Sequence, residues 1–161
     1  MTVIDLKNCT IKILDGDDNE LDVLIGEGNL TYSESKPRQY IKDRGRLSNV
    51  RDGDEEPVDV SLAFSWEWLR SNGGESVTVE EALKQVGAAS EWVTSGADAC
   101  EPYCVDLVLE NAGGCDAVLD EVITFSEFRY EKLDHDAKAG TVTVSGKCNE
   151  VMPTVARTAL S

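Results

Sequence analysis

Basic side chains are scarce in this chain: Lys and Arg number 15 against 31 Asp and Glu, and the formal net charge over 161 residues is -16. Sequence-independent binding to a phosphate backbone needs cations that displace counterions, so free nucleic acid and anionic membrane surfaces are poor targets. Long apolar runs are absent too, and none approaches the ~20 residues of a membrane span. The segment Met1-Thr-Val-Ile-Asp-Leu-Lys7 lacks the charged and apolar regions of a secretion signal. The expectation is a soluble protein made in a cytosol, with reduced thiols.

Histidine occurs once. His135 lies between Asp134 and Asp136 in a stretch that reads as a turn, which leaves no Cys-His or Ser-His-Asp arrangement to assemble. Carboxylates are too abundant for any pair to stand out as acid and base. No enzyme, no catalytic residue and no cofactor is expected. Asp15, Asp17 and Asn19 have the spacing of a calcium loop, but Glu20 stands where the loop needs Gly and Gly26 where it needs Glu, so an acidic hairpin turn is the better reading. Gly26-Glu-Gly28 precedes a strand-like run instead of opening a helix, and reads as a bend or bulge instead of a phosphate loop.

Five cysteines, Cys9, Cys100, Cys104, Cys115 and Cys148, are an odd set. Four thiolates would suit zinc, yet the Cys100–Cys104 spacing departs from the paired C-x2-C of a zinc ribbon. Disulfide pairing after release from the cell is a second option, and buried inert thiols a third that fits free cysteine best. No metal is expected.

What the chain does have is 41% hydrophobic residues at a length suited to a single domain, 1–161. Cys9 to Leu14 alternates, Asp15 to Glu20 is turn chemistry and Leu21 to Ile25 is strand-like again, which makes a β-hairpin before a further run at Asn29 to Tyr32. The strongest alternation covers 58–68: Val58, Val60, Leu62, Phe64, Trp66 and Trp68 are apolar, with Asp59, Ser61, Ser65 and Glu67 between them. One face is then buried and the other polar. More strands are expected at Val105 to Glu110, Val122 to Tyr130 and Thr141 to Gly146. Thr78-Val-Glu-Glu81 is a capping box, and the apolar spacing from Val79 through Val93 predicts one helix over 79–93. The fold class is mainly β, a β-sandwich or partly closed barrel with one flanking helix and a long early loop.

That early loop, 33–56, shows little periodicity and carries Lys36, Arg38, Lys42, Arg44, Arg46 and Arg51 before switching to Asp52-Gly-Asp-Glu-Glu56. With Tyr32 and Tyr40 as its aromatics it is a weak nucleic-acid arm. A basic loop on an acidic body suits docking against a second copy of that body, so Lys36, Arg38, Tyr40, Lys42, Arg44, Arg46 and Arg51 are the candidate subunit interface. A solvated loop is the plain alternative.

Gly28-Asn-Leu-Thr-Tyr-Ser-Glu34, Arg44-Gly-Arg-Leu-Ser-Asn-Val-Arg-Asp-Gly-Asp-Glu-Glu-Pro-Val-Asp-Val-Ser61 and the run from Phe128 to Asn149 resemble the major tail tube proteins of long-tailed bacteriophages. The resemblance implies a β-sandwich with one helix, a long loop that touches a neighbouring subunit or ring, and terminal arms at Met1 to Asp5 and Pro153 to Ser161. It further implies a virion tail protein, assembled in the host cytoplasm, whose hexameric rings stack into a tube for genome delivery. Its partners would be copies of itself and tail initiator, terminator and tape-measure proteins; DNA would pass without specific binding, and no membrane is involved. Asp59, Ser61, Ser65 and Glu67 are candidates for the lumen. The alternative is a β-sandwich binding module of a virion or cell surface, for carbohydrate or ions.

Overall fold

The computed structural model describes residues 9–23, 28–66, 77–98, 100–111 and 119–159. Ten strands dominate: β1 Cys9–Leu14, β2 Glu20–Val23, β3 Leu30–Ser33, β4 Arg38–Asp43, β5 Arg46–Asp52, β6 Val58–Ser65, β7 Val105–Asn111, β8 Leu119–Asp136, β9 Thr141–Cys148 and β10 Thr154–Ala159. Helix α1, Val79–Lys84, stands between β6 and β7, followed by a single 3-10 turn at Gly87–Ala89. All pairings are antiparallel, in the order β2-β1-β7-β8-β9-β6-β3, with β10 beside β8 and β4-β5 standing apart. The mainly β class, sandwich-like and not closed into a barrel, is as expected.

Strand β8 makes the sandwich possible. Its first half pairs with β7 and β10, from Leu119 to Phe125, with one further β7 pair at Phe128, and its second half pairs with β9, from Phe128 to Asp136. One strand thus belongs to two layers, β2-β1-β7-β8-β10 and β8-β9-β6-β3. Between the halves Glu127 adopts φ 54, a left-handed conformation that bends the strand. The bend frees backbone donors that carboxylates satisfy: Ser126 N donates to Glu150 and Glu127 N to Asp106, each at 3.0 Å. Phe125 and Phe128 flank the corner and are 0% and 1% exposed.

Alternation decides what fills the space between the layers. Val58, Val60, Leu62 and Phe64 of β6, Val142 and Val144 of β9 and Leu133 of β8 face inward on one layer; Ile11, Ile13, Leu21, Leu107, Leu109 and Ile123 face them from the other. Gly146 sits in the same inward row, where a Cβ would lie 2.1 Å from the Arg129 carbonyl oxygen beside the β8 bulge at Glu131. Any side chain there would collide with backbone.

Helix α1 begins as the capping box dictates, with Thr78 Oγ1 accepting from Glu81 N and Glu81 returning to Thr78 N. It stops early. Gln85 takes φ 57 and its amide reaches the Trp92 carbonyl, so the expected helix over 79–93 is one short helix, a 3-10 turn and an extended tail. Val79, Ala82, Leu83, Ala89 and Trp92 join the core, while Val86 and Val93 are exposed.

Other expectations shift in the same way. The strand expected over 58–68 ends at Ser65 among the described residues, and Trp68 and Glu67 lie outside them. Pro153 to Ser161, read as a terminal arm, contains β10; the other arm, Met1 to Asp5, lies outside the described residues, as do residues 24 and 25 of the expected strand and 26 and 27 of the expected glycine bend. His135 belongs to β8 instead of a turn, because β8 runs on to Asp136 before the chain reverses at Gly140.

Candidate assembly surfaces

The excursion between β3 and β6 is not irregular but a free-standing two-stranded sheet. Arg44 and Gly45 both take positive φ, 51 and 81, which is the two-residue turn whose twist matches antiparallel strands. The ladder runs Arg38↔Asp52, Gln39↔Arg51, Tyr40↔Val50 and Ile41↔Asn49, then slips by one residue to Lys42↔Leu47. Arg38 and Asp52 form a 2.7 Å ion pair, and Gly53 N donates to the Pro37 carbonyl to close the base. Among the described residues no other element covers the face that carries Tyr40, Leu47 and Val50, which are 62%, 72% and 49% exposed. An isolated hairpin of this kind is marginal in water.

The structure places Arg38, Tyr40, Lys42, Arg44, Arg46 and Arg51 of the sequence-derived set on this hairpin and Lys36 in the connection leading to it, all exposed. Sequence reasoning missed Leu47 and Val50, whose contribution is apolar; the signal that would have found them is the Arg44-Gly45 turn between runs of six and seven residues.

A second surface is the outer face of the β8-β9-β6-β3 layer. Asp59, Ser61 and Ser65 point away from the core as their alternation requires, with Thr141, Thr143, Ser145 and Lys147 of β9 opposite and beside them. A shallow groove of about 460 Å³ crosses it, bounded by Thr31, Ser33, Asp59, Ser61, Glu131 and Lys147. Its cations face carboxylates: Lys147 to Asp59 at 3.8 Å, Lys132 to Asp134 at 3.6 Å and Arg129 to Glu101 at 3.2 Å. This face is small, hydroxyl-rich and charge-paired instead of strongly acidic.

The far end of β6 carries the helix. His135 Nε2 lies 3.1 Å from Glu80 Oε2, its ring 5.0 Å from that of Trp66, and Lys84 bonds the other Glu80 oxygen at 2.6 Å. The Lys84 bond comes first, with His135 adding to it against partial burial, in holding the Glu80 carboxyl below its ordinary range. The arrangement ties α1 to β8 and brings no nucleophile with it. Asp15 ties the neighbouring loop: Asp17 N, Asn19 N, Asn19 Nδ2 and Val93 N all donate to its carboxylate. The Asp15 carboxylate and the Asn19 side chain of the calcium-like triad are therefore spent on turn and loop. Among the cysteines, Cys104 and Cys148 are buried, Cys9 half-buried and Cys100 exposed, and Cys115 lies outside the described residues. Burial, then the charges of Glu150 and Asp106, push the Cys148 thiol up to about 12, which leaves it unreactive at neutral pH. No group of three or more metal-ligating side chains occurs among the described residues.

Comparison with known proteins gives likeness of fold and no more. No family model matches the chain, and no curated protein matches its sequence. Among solved structures it resembles a chain of the sheath/tube terminator of an extracellular contractile injection system in its extended state, with a TM-score of 0.55 and 8% identity over 97% of this chain and 98% of that one. It also resembles a chain of the tube-terminating cap of the anti-feeding prophage, with a TM-score of 0.52 and 9% identity over 98% and 93%. The fold is thus one found in tail-like injection particles, and the likeness covers 97–98% of this chain.

Proposed function

We propose that this chain is a non-catalytic structural protein of a virion tail, copies of which associate head to tail into rings that stack into a tube for genome delivery. The observation that carries the reading is the β4-β5 hairpin. It projects a basic, partly apolar two-stranded sheet from an acidic body and has no core of its own, which is the form of an element completed by a neighbour. The fold likeness supports the class of particle, and the sequence resemblance supports the tube. In such a tube Asp59, Ser61 and Ser65 line the lumen, a wall whose cations are already paired and therefore offers DNA little to hold. Initiator, terminator and tape-measure proteins are the further partners this role implies.

Sedimentation velocity over a wide concentration range, with negative-stain micrographs of the same samples, tests the proposal. Rings or filaments are expected; a monomer at every concentration, with initiator components also present, ends it. A second reading is favoured by the two fold likenesses, both to structures of tube ends: a terminator that forms one ring. Single rings that never stack would select it over the tube.

A further inference from the structure

The two ends of strand β6 carry unlike surfaces. At its start, Val58, the chain has just left the basic hairpin, and Ser33 opposite Asp59 marks where the hairpin departs. At its finish, Phe64, Ser65 and Trp66 abut Thr78, Val79 and Glu80 at the head of α1. Beside that head lies a groove of about 680 Å³. Its apolar wall is Val77, Ala88 and Trp92, and its rim carries Asp17, Glu20 and Glu91. No cation lines it among the described residues, and of the three carboxylates Glu20 is engaged by Lys12 at 2.8 Å. Eight strand residues separate the two surfaces, about 25 Å at the ordinary rise of an antiparallel strand.

The hairpin tip presents the complement of this groove in both chemistry and order. Arg44 lies in the turn, Arg46 follows it as the first residue of β5, and the exposed Leu47 comes next. We infer that the groove between the β1-β2 turn and α1 is the seat for the hairpin tip of a second copy of this chain. Arg44 and Arg46 meet Asp17 and Glu91 at the rim, and Leu47 lies on the wall formed by Val77 and Ala88. Because donor and acceptor surfaces lie at opposite ends of one strand, the contact is heterologous and leaves one of each unsatisfied on every pair, so it propagates. Its long-range part is electrostatic and weakens with salt.

This inference rests on the self-assembly proposed above and goes further by naming the receiving surface. Charge reversal separates the two. Arg44→Glu with Arg46→Glu alters the tip, and Asp17→Lys with Glu91→Lys alters the groove; all four side chains are exposed, and circular dichroism of each variant verifies the fold. Sedimentation is expected to show each pair reducing assembly at least tenfold in the concentration required, and the quadruple variant recovering most of it. Loss with the tip variant alone, the groove variant assembling as the native chain does, overturns the seat while leaving self-assembly through the hairpin intact. Assembly unaffected by the tip variant overturns both, as does a native chain that never associates. Failure of the quadruple variant to recover, when each pair abolishes assembly, also overturns the seat.

Discussion

Asp15 is the one buried carboxylate among the described residues, 6% exposed, in a molecule with 31 acidic residues, and four donors meet its charge. Burial by itself opposes ionisation, but the bonds from Asn19, Val93 and Asp17 outweigh it and hold the carboxyl below its ordinary value of 3.8. A lowered folded value means the stabilisation is complete above the unfolded value and fades as pH falls through the folded one. Asp15→Asn is expected to cost about 1–3 kcal/mol at pH 7. Urea melts at pH 7 and below pH 3 check the sign, since the deficit should shrink in acid. Gly146 is constrained by space instead of charge. Gly146→Ala drives a methyl into the Arg129 carbonyl and is expected to cost about 1–3 kcal/mol in a thermal melt, whereas Gly140→Ala, with nothing within 4 Å of the added carbon, would be penalised only through its φ of 68.

At the scale of elements, the hairpin and the sandwich strands separate what stabilises the fold from what extends it. Replacing Arg44, Arg46 and Arg51 together by Glu is expected to leave the circular dichroism and melting of the monomer unchanged while abolishing assembly; unfolding of this variant would return the hairpin to the body. The same division explains what could be read in advance. Strands β1, β2, β6 and β9 bury one face, so their side chains alternate in the sequence and their positions are legible, while β7, buried at Leu107, Val108 and Leu109 in succession, is legible as an apolar run. Strands β4 and β5 bury neither, so 33–56 carries no period of two and reads as loop, although the charges that mark it as a docking element are plain. Helix α1 was legible at its start, where a cap is written in four residues, and not at its end, where Gln85 turns left-handed without the glycine that usually announces it. β8 was legible only in part, because its corner at Ser126-Glu127 inverts the alternation and is stabilised by Asp106 and Glu150 from elsewhere in the chain.

For the whole molecule, the face that holds the lumen candidates Asp59, Ser61 and Ser65 has its cations paired with carboxylates. The wall proposed around Asp59 repels DNA weakly and attracts it weakly, which is sufficient for passage. Asp59→Lys would leave Lys147 without its partner and add a second cation to every subunit. Tubes of that variant are expected to retain duplex DNA in co-sedimentation at low salt and to release it as salt rises, while native tubes retain little; equal retention by both would place Asp59 away from the lumen. The shared strand β8 bears on a different property. With one half in each layer, β8 couples the two, since pulling it out of one layer also strips a strand from the other. The sandwich is therefore a single cooperative unit, and a subunit strained along a tube would resist as a whole up to one threshold instead of yielding layer by layer.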